Sequence, residues 1–255
     1  MAEALLQVEK LAKRFGGIVG TDDVVFDIPQ GEVHAVIGPN GAGKTTLIAQ
    51  LSGQLFADSG RIRFAGQDIT RLPPYRRSAL GLARSFQITS LFLDLSVLDN
   101  VALAVQAQAG HSFHFWRKAR GERDLREPAR AALARVGLST RAGRPASALS
   151  HGEHRLLELA MAIAGRPRML LLDEPMAGLG PEESARMVEM LRALKSEYTI
   201  LLVEHDMEAV FALADRISVL VYGRVIACGK AEEIRGNEQV REAYLGNDGE
   251  GAGHA

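Results

Sequence analysis

The chain has 255 residues, of which 47% are hydrophobic and 24% are charged, so it is long enough to bury a sizeable core. Its 30 basic and 31 acidic residues give a net charge of −1, which argues against a general nucleic-acid binder, and we expect no nucleic-acid partner. The single cysteine, Cys228, excludes an internal disulfide, and no apolar run approaches the ~18 residues of a membrane span. Because the first residues lack a signal-peptide pattern, we expect a soluble cytosolic protein that reaches a membrane only through a partner.

The first third of the chain contains several predicted strands. LLQVE and VVFDI are strand-like, and EVHAVIG runs directly into a glycine-rich loop. GRIRFAGQDI indicates a further strand that turns at a glycine. The start of the chain is therefore predicted to be mainly β-structure.

The glycine-rich loop matches a phosphate-binding pattern. Residues 38–46, GPNGAGKTT, fit G-x-x-x-x-G-K-[ST], and the strand before them and the helix after them disfavour an ordinary turn. The glycines let backbone N–H groups point at phosphate oxygens, and the helix adds its positive N-terminus. Lys44 is expected to reach the β- and γ-phosphates, and the Thr45 hydroxyl to bind Mg²⁺. The predicted nucleotide-binding residues of the loop are Asn40, Gly41, Gly43, Lys44, Thr45 and Thr46.

The middle of the chain, residues 88–165, changes to helical patterns. LSVLDNVALAVQAQAG and DLREPARAALARVGL have helical spacing. The basic segment between them, HSFHFWRKARGERD, could be a nucleic-acid patch. Acidic residues at Glu122, Asp124 and Glu127 interrupt its charge, so we favour a solvated helix hairpin.

A third helix is predicted to begin within ALSHGEHRLLELAMAI, residues 148–163. Ser150 and Glu153 fit the capping box S-x-x-E, in which two side chains satisfy free backbone donors at a helix start. The capping box does not explain Gly152, because glycine costs about 1 kcal/mol inside a helix. This glycine therefore requires a separate reason.

Strand and helix patterns alternate again from residue 166. RMLLLDEP and TILLVEHD are apolar runs typical of parallel strands that are buried on both faces. Asp173 is predicted to hold Mg²⁺, directly or through water, and Glu174 to polarise the water that attacks the γ-phosphate. A helix-capping pair is the alternative for these two residues. RISVLVYGRVIACG predicts a hairpin around YGR, and the tail NDGEGAGHA is predicted to be disordered.

With both halves of a nucleotide site present, the chain from about residue 5 to residue 245 resembles the ATP-binding subunits of ABC transporters. The resemblance implies an α/β fold, namely a P-loop NTPase core with an N-terminal antiparallel β subdomain and a helical subdomain insertion. It implies one domain over residues 1–245, with the core at about 1–87 and 166–245, the helical lobe at about 88–165, and a disordered tail at 246–255.

The resemblance also implies roles for three residues outside the glycine-rich loop. Phe15 in KRFGG corresponds to an aromatic residue that stacks on adenine, although a strand-end Phe more often covers a core. Gln87 in RSFQ corresponds to a glutamine that joins the core to the helical lobe and senses Mg²⁺ and the attacking water. His205 in VEHDM corresponds to a histidine that contacts the γ-phosphate, and Asp206 beside it fits a helix cap.

LSHGE, residues 149–153, resembles the family signature LSGGQ. In that family, the signature binds the γ-phosphate of an ATP held by the opposing subunit of a head-to-tail dimer. The resemblance implies that Ser150 and the backbone N–H of Gly152 do this here. His151 and Glu153 depart from the signature. Gly180, in AGLG, lacks the acidic side chain that is usual there, so no side-chain role is assigned at that position.

Within the family, FQITSLFLDLSVLDNVALA, DEPMAGLGPEE and EAYLG are similar to the ATPases of branched-chain amino acid and related amide importers. This implies an ATPase that uses ATP and Mg²⁺ and pairs with a second ATPase subunit and with transmembrane permease subunits. Its expected location is the cytoplasmic face of the membrane. The alternatives are a non-transport ABC ATPase for cluster assembly or DNA repair, a subunit for another substrate, and a module that binds ATP without turnover. Glu174 and His205 disfavour the last.

Overall fold

The computed structural model describes residues 4–84, 91–108 and 121–245. The first strands form a four-stranded antiparallel sheet in the order β2-β1-β4-β5. Its strands are β1 (Ala4–Phe15), β2 (Ile18–Pro29), β4 (Ser59–Phe64) and β5 (Gln67–Asp68). Much of β2 alternates between buried and exposed residues, as expected for a sheet with one face on the core. The predicted N-terminal β subdomain is confirmed.

A second, six-stranded sheet forms the centre of the described chain, in the order β10-β9-β3-β8-β7-β6. Its pairs are parallel except for β9 with β10, which form the hairpin predicted around YGR. Every residue of β3, β7 and β8 is buried, as the continuous apolar runs predicted. The strands are β3 (Val33–Ile37), β6 (Leu82–Arg84), β7 (Met169–Asp173), β8 (Thr199–Val203), β9 (Arg216–Val221) and β10 (Arg224–Gly229).

One helix lies between the two sheets, and others pack on the opposite face of the larger sheet. The first helix packs Leu47, Ile48 and Leu51 into a core shared with both sheets. The helices are α1 (Lys44–Ser52), α2 (Pro74–Ala79), α3 (Val97–Gln108), α4 (Gly121–Arg135), α5 (His151–Ala164), α6 (Pro181–Leu194), α7 (Met207–Leu213), α8 (Ala231–Gly236) and α9 (Glu238–Leu245). Within the described ranges, none of them has both the length and the apolar character needed to cross a bilayer.

Helices α3, α4 and α5 form the helical lobe predicted in the middle of the chain. Val101, Leu133 and Leu157 pack in one core, which continues into Leu170 and Leu172 of the larger sheet. The lobe is thus joined to the sheet by shared apolar packing. The division of the chain at 87 and 88 stays a prediction, because it falls outside the described residues, as do most of the predicted helix hairpin and the tail 246–255.

A buried arginine anchors the carboxyl end of α1. Arg77 is 1% exposed, and its Nη1 donates to the carbonyls of Gln50 (2.7 Å) and Leu51 (2.8 Å). Its Nε donates to the Leu72 carbonyl at 2.8 Å and its Nη2 to the Thr70 carbonyl at 3.1 Å. Burial lowers the pKa of Arg77 to about 10. These bonds hold α1 against the chain that follows β5, and so fix the direction of its opposite, amino-terminal end.

We predict that Arg77→Met lowers the free energy of unfolding by about 2–4 kcal/mol, because four carbonyls lose a buried donor. The neighbouring Arg76 is exposed, so Arg76→Met should change this free energy by less than about 0.5 kcal/mol. Urea denaturation of both variants measures the difference. Equal losses would contradict the anchoring role.

Candidate functional site

The loop between β3 and α1 is held closely by its neighbours. A Cβ on Gly43, whose φ is +102°, would lie 2.0 Å from the carbonyl oxygen of Gly20. A Cβ on Gly38 would lie 2.1 Å from the carbonyl oxygen of Leu220. Gly41 has no atom within 4 Å of such a Cβ. The loop therefore needs glycine for close packing on two sides and presents an open surface at Gly41.

The amino-terminal end of α1 is suited to an anion. Gly43 is its N-cap, and within the described residues no side chain caps it and no acidic residue lies in its first turn. The backbone N–H groups of a first helical turn have no partner inside the helix, and the helix dipole favours negative charge there. Thr45 is exposed in this turn and Asn40 is exposed in the loop before it, as expected for residues that face a nucleotide.

Lys44 lies over this loop. Its Nζ donates to the carbonyls of Gly38 (2.5 Å) and Pro39 (3.1 Å). Burial lowers the pKa of Lys44, while the nearby carboxylates of Glu174 and Asp173 act in the opposite direction. A phosphate in the loop would offer the ammonium a charged acceptor in place of neutral carbonyls, which is a stronger hydrogen bond.

Asp173 is a buried carboxylate at the end of β7. Its side chain is 2% exposed, and its Oδ2 lies 3.1 Å from Nη2 of Arg84. Burial raises the pKa of Asp173, Arg84 opposes this, and the carboxylates of Glu174 and Glu204 raise it further. Hydroxyl and carboxylate oxygens are donors that suit Mg²⁺, so Thr45 and Asp173 fit such an ion chemically. A divalent cation would also offset the negative charge around Asp173.

Arg84 was not predicted from the sequence. It ends β6, and besides Asp173 it donates to the side chains of Ser52 (3.2 Å) and Gln54. It therefore connects the Asp173 carboxylate to the carboxyl end of α1. No local pattern marks such a residue, because its partners come from distant parts of the chain.

Glu174 has an unusual backbone. Its φ is +48°, which is rare for a residue with a side chain and costs roughly 1–2 kcal/mol. Its N–H donates to the Val203 carbonyl at 2.8 Å, so the backbone stays attached to β8 at this turn. The side chain is half-buried and lies near enough to affect the pKa of Lys44. Strain of this kind at a strand end is typical of functional positions.

His205 follows β8 at the same edge of the sheet. Its side chain is 66% exposed, and Asp206 beside it caps α7 by accepting from Glu208 N (3.0 Å) and Ala209 N (3.1 Å). The predicted cap is confirmed. Glu204, just before His205, is fully buried and was not recognised in the sequence. Gln87, the third predicted catalytic residue and a predicted Mg²⁺ contact, lies outside the described residues.

Phe15 lies beside α1 at the end of β1. It is 47% exposed, so it is not a core residue, which disfavours the alternative of a Phe that covers the core. A Cβ on Gly20 would lie 2.9 Å from the Phe15 ring and 2.8 Å from Cγ2 of Thr46. The absence of a side chain at Gly20 lets the ring lie close to the first turns of α1. An exposed ring in this position can stack on a base.

The start of α5 has the predicted capping box. Ser150 Oγ accepts from Glu153 N at 3.2 Å, and Glu153 Oε2 accepts from Ser150 N at 2.9 Å. Arg141 Nε donates to the other Glu153 oxygen at 2.8 Å. The backbone hydrogen bond from Ser150 and the Arg141 guanidinium lower the pKa of Glu153. The negative charge that replaces the glutamine of LSGGQ is therefore turned back onto its own chain.

Gly152 has a neighbour that the sequence did not predict. It is buried, and a Cβ there would lie 2.5 Å from Oε1 of Glu183 in α6. The other Glu183 oxygen accepts from Gly180 N at 3.3 Å. Because these atoms are the end of a flexible side chain, a Cβ at position 152 would displace the Glu183 carboxylate, and packing within the chain alone does not require glycine there.

His151 also packs against the loop before α6. Its Nε2 lies 3.0 Å from the position of a Cβ on Gly178, whose φ is +77°. The histidine that replaces the first glycine of the signature therefore lies against a glycine of AGLG. The start of α5 and the loop at 177–180 therefore pack against each other through His151 and Gly178.

The signature and the glycine-rich loop have separate surroundings. A cavity of about 290 Å³ beside the signature is lined by Ser150, Gly152, Glu183 and Arg186, among others. The glycine-rich loop instead contacts β2 and the β9–β10 turn, where Gly223 N donates to the Ala42 carbonyl at 2.8 Å. The start of α5 is therefore a second polar surface with its own neighbours.

Comparisons with known families agree with this arrangement. The model of the ABC transporter family matches residues 21–177, and the model of the branched-chain amino acid ATP-binding cassette transporter matches residues 224–250. The first match includes the glycine-rich loop, the signature and the end of β7. The second covers β10 and the helices that follow it.

Curated proteins match the chain over nearly its full length. The high-affinity branched-chain amino acid transport ATP-binding protein BraF of Pseudomonas aeruginosa is 38% identical over 253 residues, covering 96% of this chain and 99% of BraF. LivG of Escherichia coli K12, a protein of the same description, is 37% identical over 255 residues with the same coverage. A solved ATP-binding cassette of an ABC transporter in its ADP conformation superposes with a TM-score of 0.84 at 29% identity, covering 96% of this chain and all of that one.

The contact between Gly152 and Glu183 leads to a test by a double-mutant cycle. Gly152→Ala should stabilise the chain by less than the ~1 kcal/mol that alanine gains over glycine inside a helix, because its Cβ displaces the flexible end of Glu183. In a Glu183→Ala background, the same change should stabilise the chain by about the full ~1 kcal/mol. Thermal denaturation of the four proteins gives the coupling. Equal effects of Gly152→Ala in the two backgrounds would refute the contact with Glu183.

Proposed function

This chain belongs to the ABC transporter family of ATP-binding proteins, and we propose that it powers the import of branched-chain or related amino acids. It is an ATP-hydrolysing subunit of an ABC transporter. The observation that carries the substrate class is the likeness to branched-chain amino acid transport ATP-binding proteins, which extends beyond the general cassette into residues 224–250.

In the proposed reaction, the glycine-rich loop and Lys44 hold the phosphates of ATP. The exposed ring of Phe15 stacks on adenine, and the N–H groups of the first turn of α1 face phosphate oxygens. Thr45 and Asp173 would hold Mg²⁺, which would supply charge neutralisation for the phosphates. Gln87 is assigned to the same ion and to the attacking water through the family resemblance alone.

Glu174 is proposed to orient and polarise the attacking water. Its half-buried carboxylate follows the Mg²⁺-site aspartate and lies near Lys44. The bond that breaks joins the γ-phosphorus to the β–γ bridging oxygen, and the new bond joins the γ-phosphorus to the water oxygen. His205, exposed at the next strand end, would contact the γ-phosphate. Positioning and charge neutralisation are the main requirements of phosphoryl transfer.

We propose that the signature serves a second ATPase subunit. Ser150 and Gly152 begin a helix whose first turn faces its own cavity, away from the neighbours of the glycine-rich loop. Because Glu153 pairs with Arg141 and accepts from Ser150 N, its charge is partly offset where a phosphate would approach. The partner subunit can be a second copy of this chain or a different ATPase.

Transmembrane permease subunits are the other proposed partners. An apolar groove of about 330 Å³ lies between the sheet core and the helical lobe, and its lining includes Leu82, Phe92, Leu103 and Met161. Phe92 is 57% exposed and Leu103 is 38% exposed. Large exposed apolar side chains beside a groove are typical of a protein interface. A permease segment docked there would bring this chain to the cytoplasmic face of the membrane.

We predict that the chain, co-purified with the permease subunits and the binding protein of its transporter and reconstituted in vesicles, hydrolyses ATP faster when leucine, isoleucine or valine is present.

Glu174→Gln should lower hydrolysis about 10²–10⁴-fold while ATP still binds, because the carboxylate base is lost. Lys44→Ala should weaken ATP binding about 10–100-fold, because a charge-assisted contact is lost. Phosphate release and calorimetry measure the two effects.

Three outcomes of that experiment would count against specific parts of the proposal. Near-normal phosphate release by Glu174→Gln would remove Glu174 from its role. Stimulation by another solute, with none by branched-chain amino acids, would favour a subunit for a different substrate. A chain that does not associate with folded permeases would favour a non-transport ABC ATPase.

A further inference from the structure

One buried carboxylate joins the two loops that carry Glu174 and His205. Glu204 is 0% exposed. Its Oε1 accepts from Met176 N at 2.9 Å. Its Oε2 accepts from His205 N at 2.9 Å and from Asp206 N at 3.3 Å. The two oxygens therefore face different loops, one after β7 and one after β8.

A carboxylate is the side chain that can make this set of bonds. All three hydrogen bonds to Glu204 come from backbone N–H donors, and an ionised carboxylate is acceptor-only. The His205 Nδ1 atom also lies 3.6 Å from Oε2. A glutamine of the same shape would turn an NH₂ group toward one of the two loops, where it would meet an N–H donor. Buried donors without acceptors are costly, so one of the loops would have to move.

The loop on the Met176 side leads to the start of α5. Leu179 N donates to the Met176 carbonyl at 3.1 Å, which folds the loop into a tight turn. Gly178 in that turn lies against the His151 ring, and Gly180 is held by Glu183, which also packs on Gly152. A continuous series of contacts therefore runs from His205, through Glu204 and the loop at 176–180, to the signature helix.

We propose that Glu204 is a positioning residue that makes the loop of His205 and the loop at 176–180 move together. Through it, ATP bound to the chain's own glycine-rich loop sets the position of the signature that the chain presents to its partner subunit. This inference rests on the proposed function, because it requires His205 to face the chain's own ATP and the start of α5 to face a second subunit.

Hydrogen–deuterium exchange on the isolated chain tests this inference without any partner. In the wild type, a non-hydrolysable ATP analogue with Mg²⁺ should slow exchange at 204–207, at 176–180 and at 151–153. In Glu204→Gln, binding of the analogue should stay within about threefold of the wild type, because Glu204 contacts none of the loop at 38–46 through the bonds described. The factor by which the analogue slows exchange at 176–180 and 151–153 should be about tenfold smaller than in the wild type. The reason is that a hydrogen bond between the two loops is lost.

Asp206→Asn is the matched control. It is also a carboxylate-to-amide change in the same loop, but Asp206 uses one oxygen, Oδ1, to cap α7. Asparagine caps helices as well as aspartate does, so this variant should keep the wild-type response at all three segments. Should Glu204→Gln not fold, Glu204→Asp gives the same test, because its shorter side chain retains both acceptors but cannot reach both loops.

The possible results separate the inference from the proposed function. A Glu204 variant that binds the analogue and keeps the wild-type slowing at 176–180 and 151–153 overturns the inference alone. Loss of slowing in Asp206→Asn to the same extent also overturns it, since the effect would then be a general weakening of the loop. A wild-type chain that binds no nucleotide overturns the proposed function and the inference with it.

Discussion

Parallel pairing of β3, β8 and β7 brings the three loops of the site to one edge of the larger sheet. Val36 of β3 and Asp173 of β7 both pair with Val203 of β8. Three loops therefore leave the sheet at the same edge: the glycine-rich loop, the turn at Glu174 and the turn at His205. Ligands in open α/β sheets bind at this carboxyl edge. The continuous burial of all three strands is typical of a parallel sheet that is covered on both faces.

Charge is concentrated at that edge to an extent that stability alone does not require. Asp173 is buried, Glu174 is half-buried, and the cations near them are Lys44 and Arg84. Removing charges from water is costly, and a buried ion pair often contributes little net stability. Glu174 adds a strained backbone. Binding of a polyphosphate with Mg²⁺ gives these groups charged partners, and this is the reason we see for keeping them together.

Patterns within a few residues predicted the parts of this site that depend on contacts inside one short segment. The glycine-rich loop, the acidic end of β7 and the capping box of Ser150 and Glu153 each lie within a few residues, so their residue types are sufficient to indicate them. Arg84 on Asp173, Glu204 on Met176 and Glu183 on Gly152 were missed. Each of those contacts joins different elements, and a single sequence carries no signal for such a pairing. The trans role of the signature likewise came from family resemblance, with no pattern of its own.

If the ATP site is divided between two subunits, mixing two variants that each lack one half should restore activity. Ser150→Arg should block the signature while its own glycine-rich loop remains intact, and Lys44→Ala should do the reverse. In a mixed dimer, the loop of the first variant faces the intact signature of the second, so one complete site is restored. We predict that the mixture hydrolyses ATP faster than either variant alone. If the active dimer is heteromeric, the two changes are placed on its two different chains. A mixture no more active than the separate variants, under conditions in which the wild type is active, would show that the signature does not act on the partner's ATP.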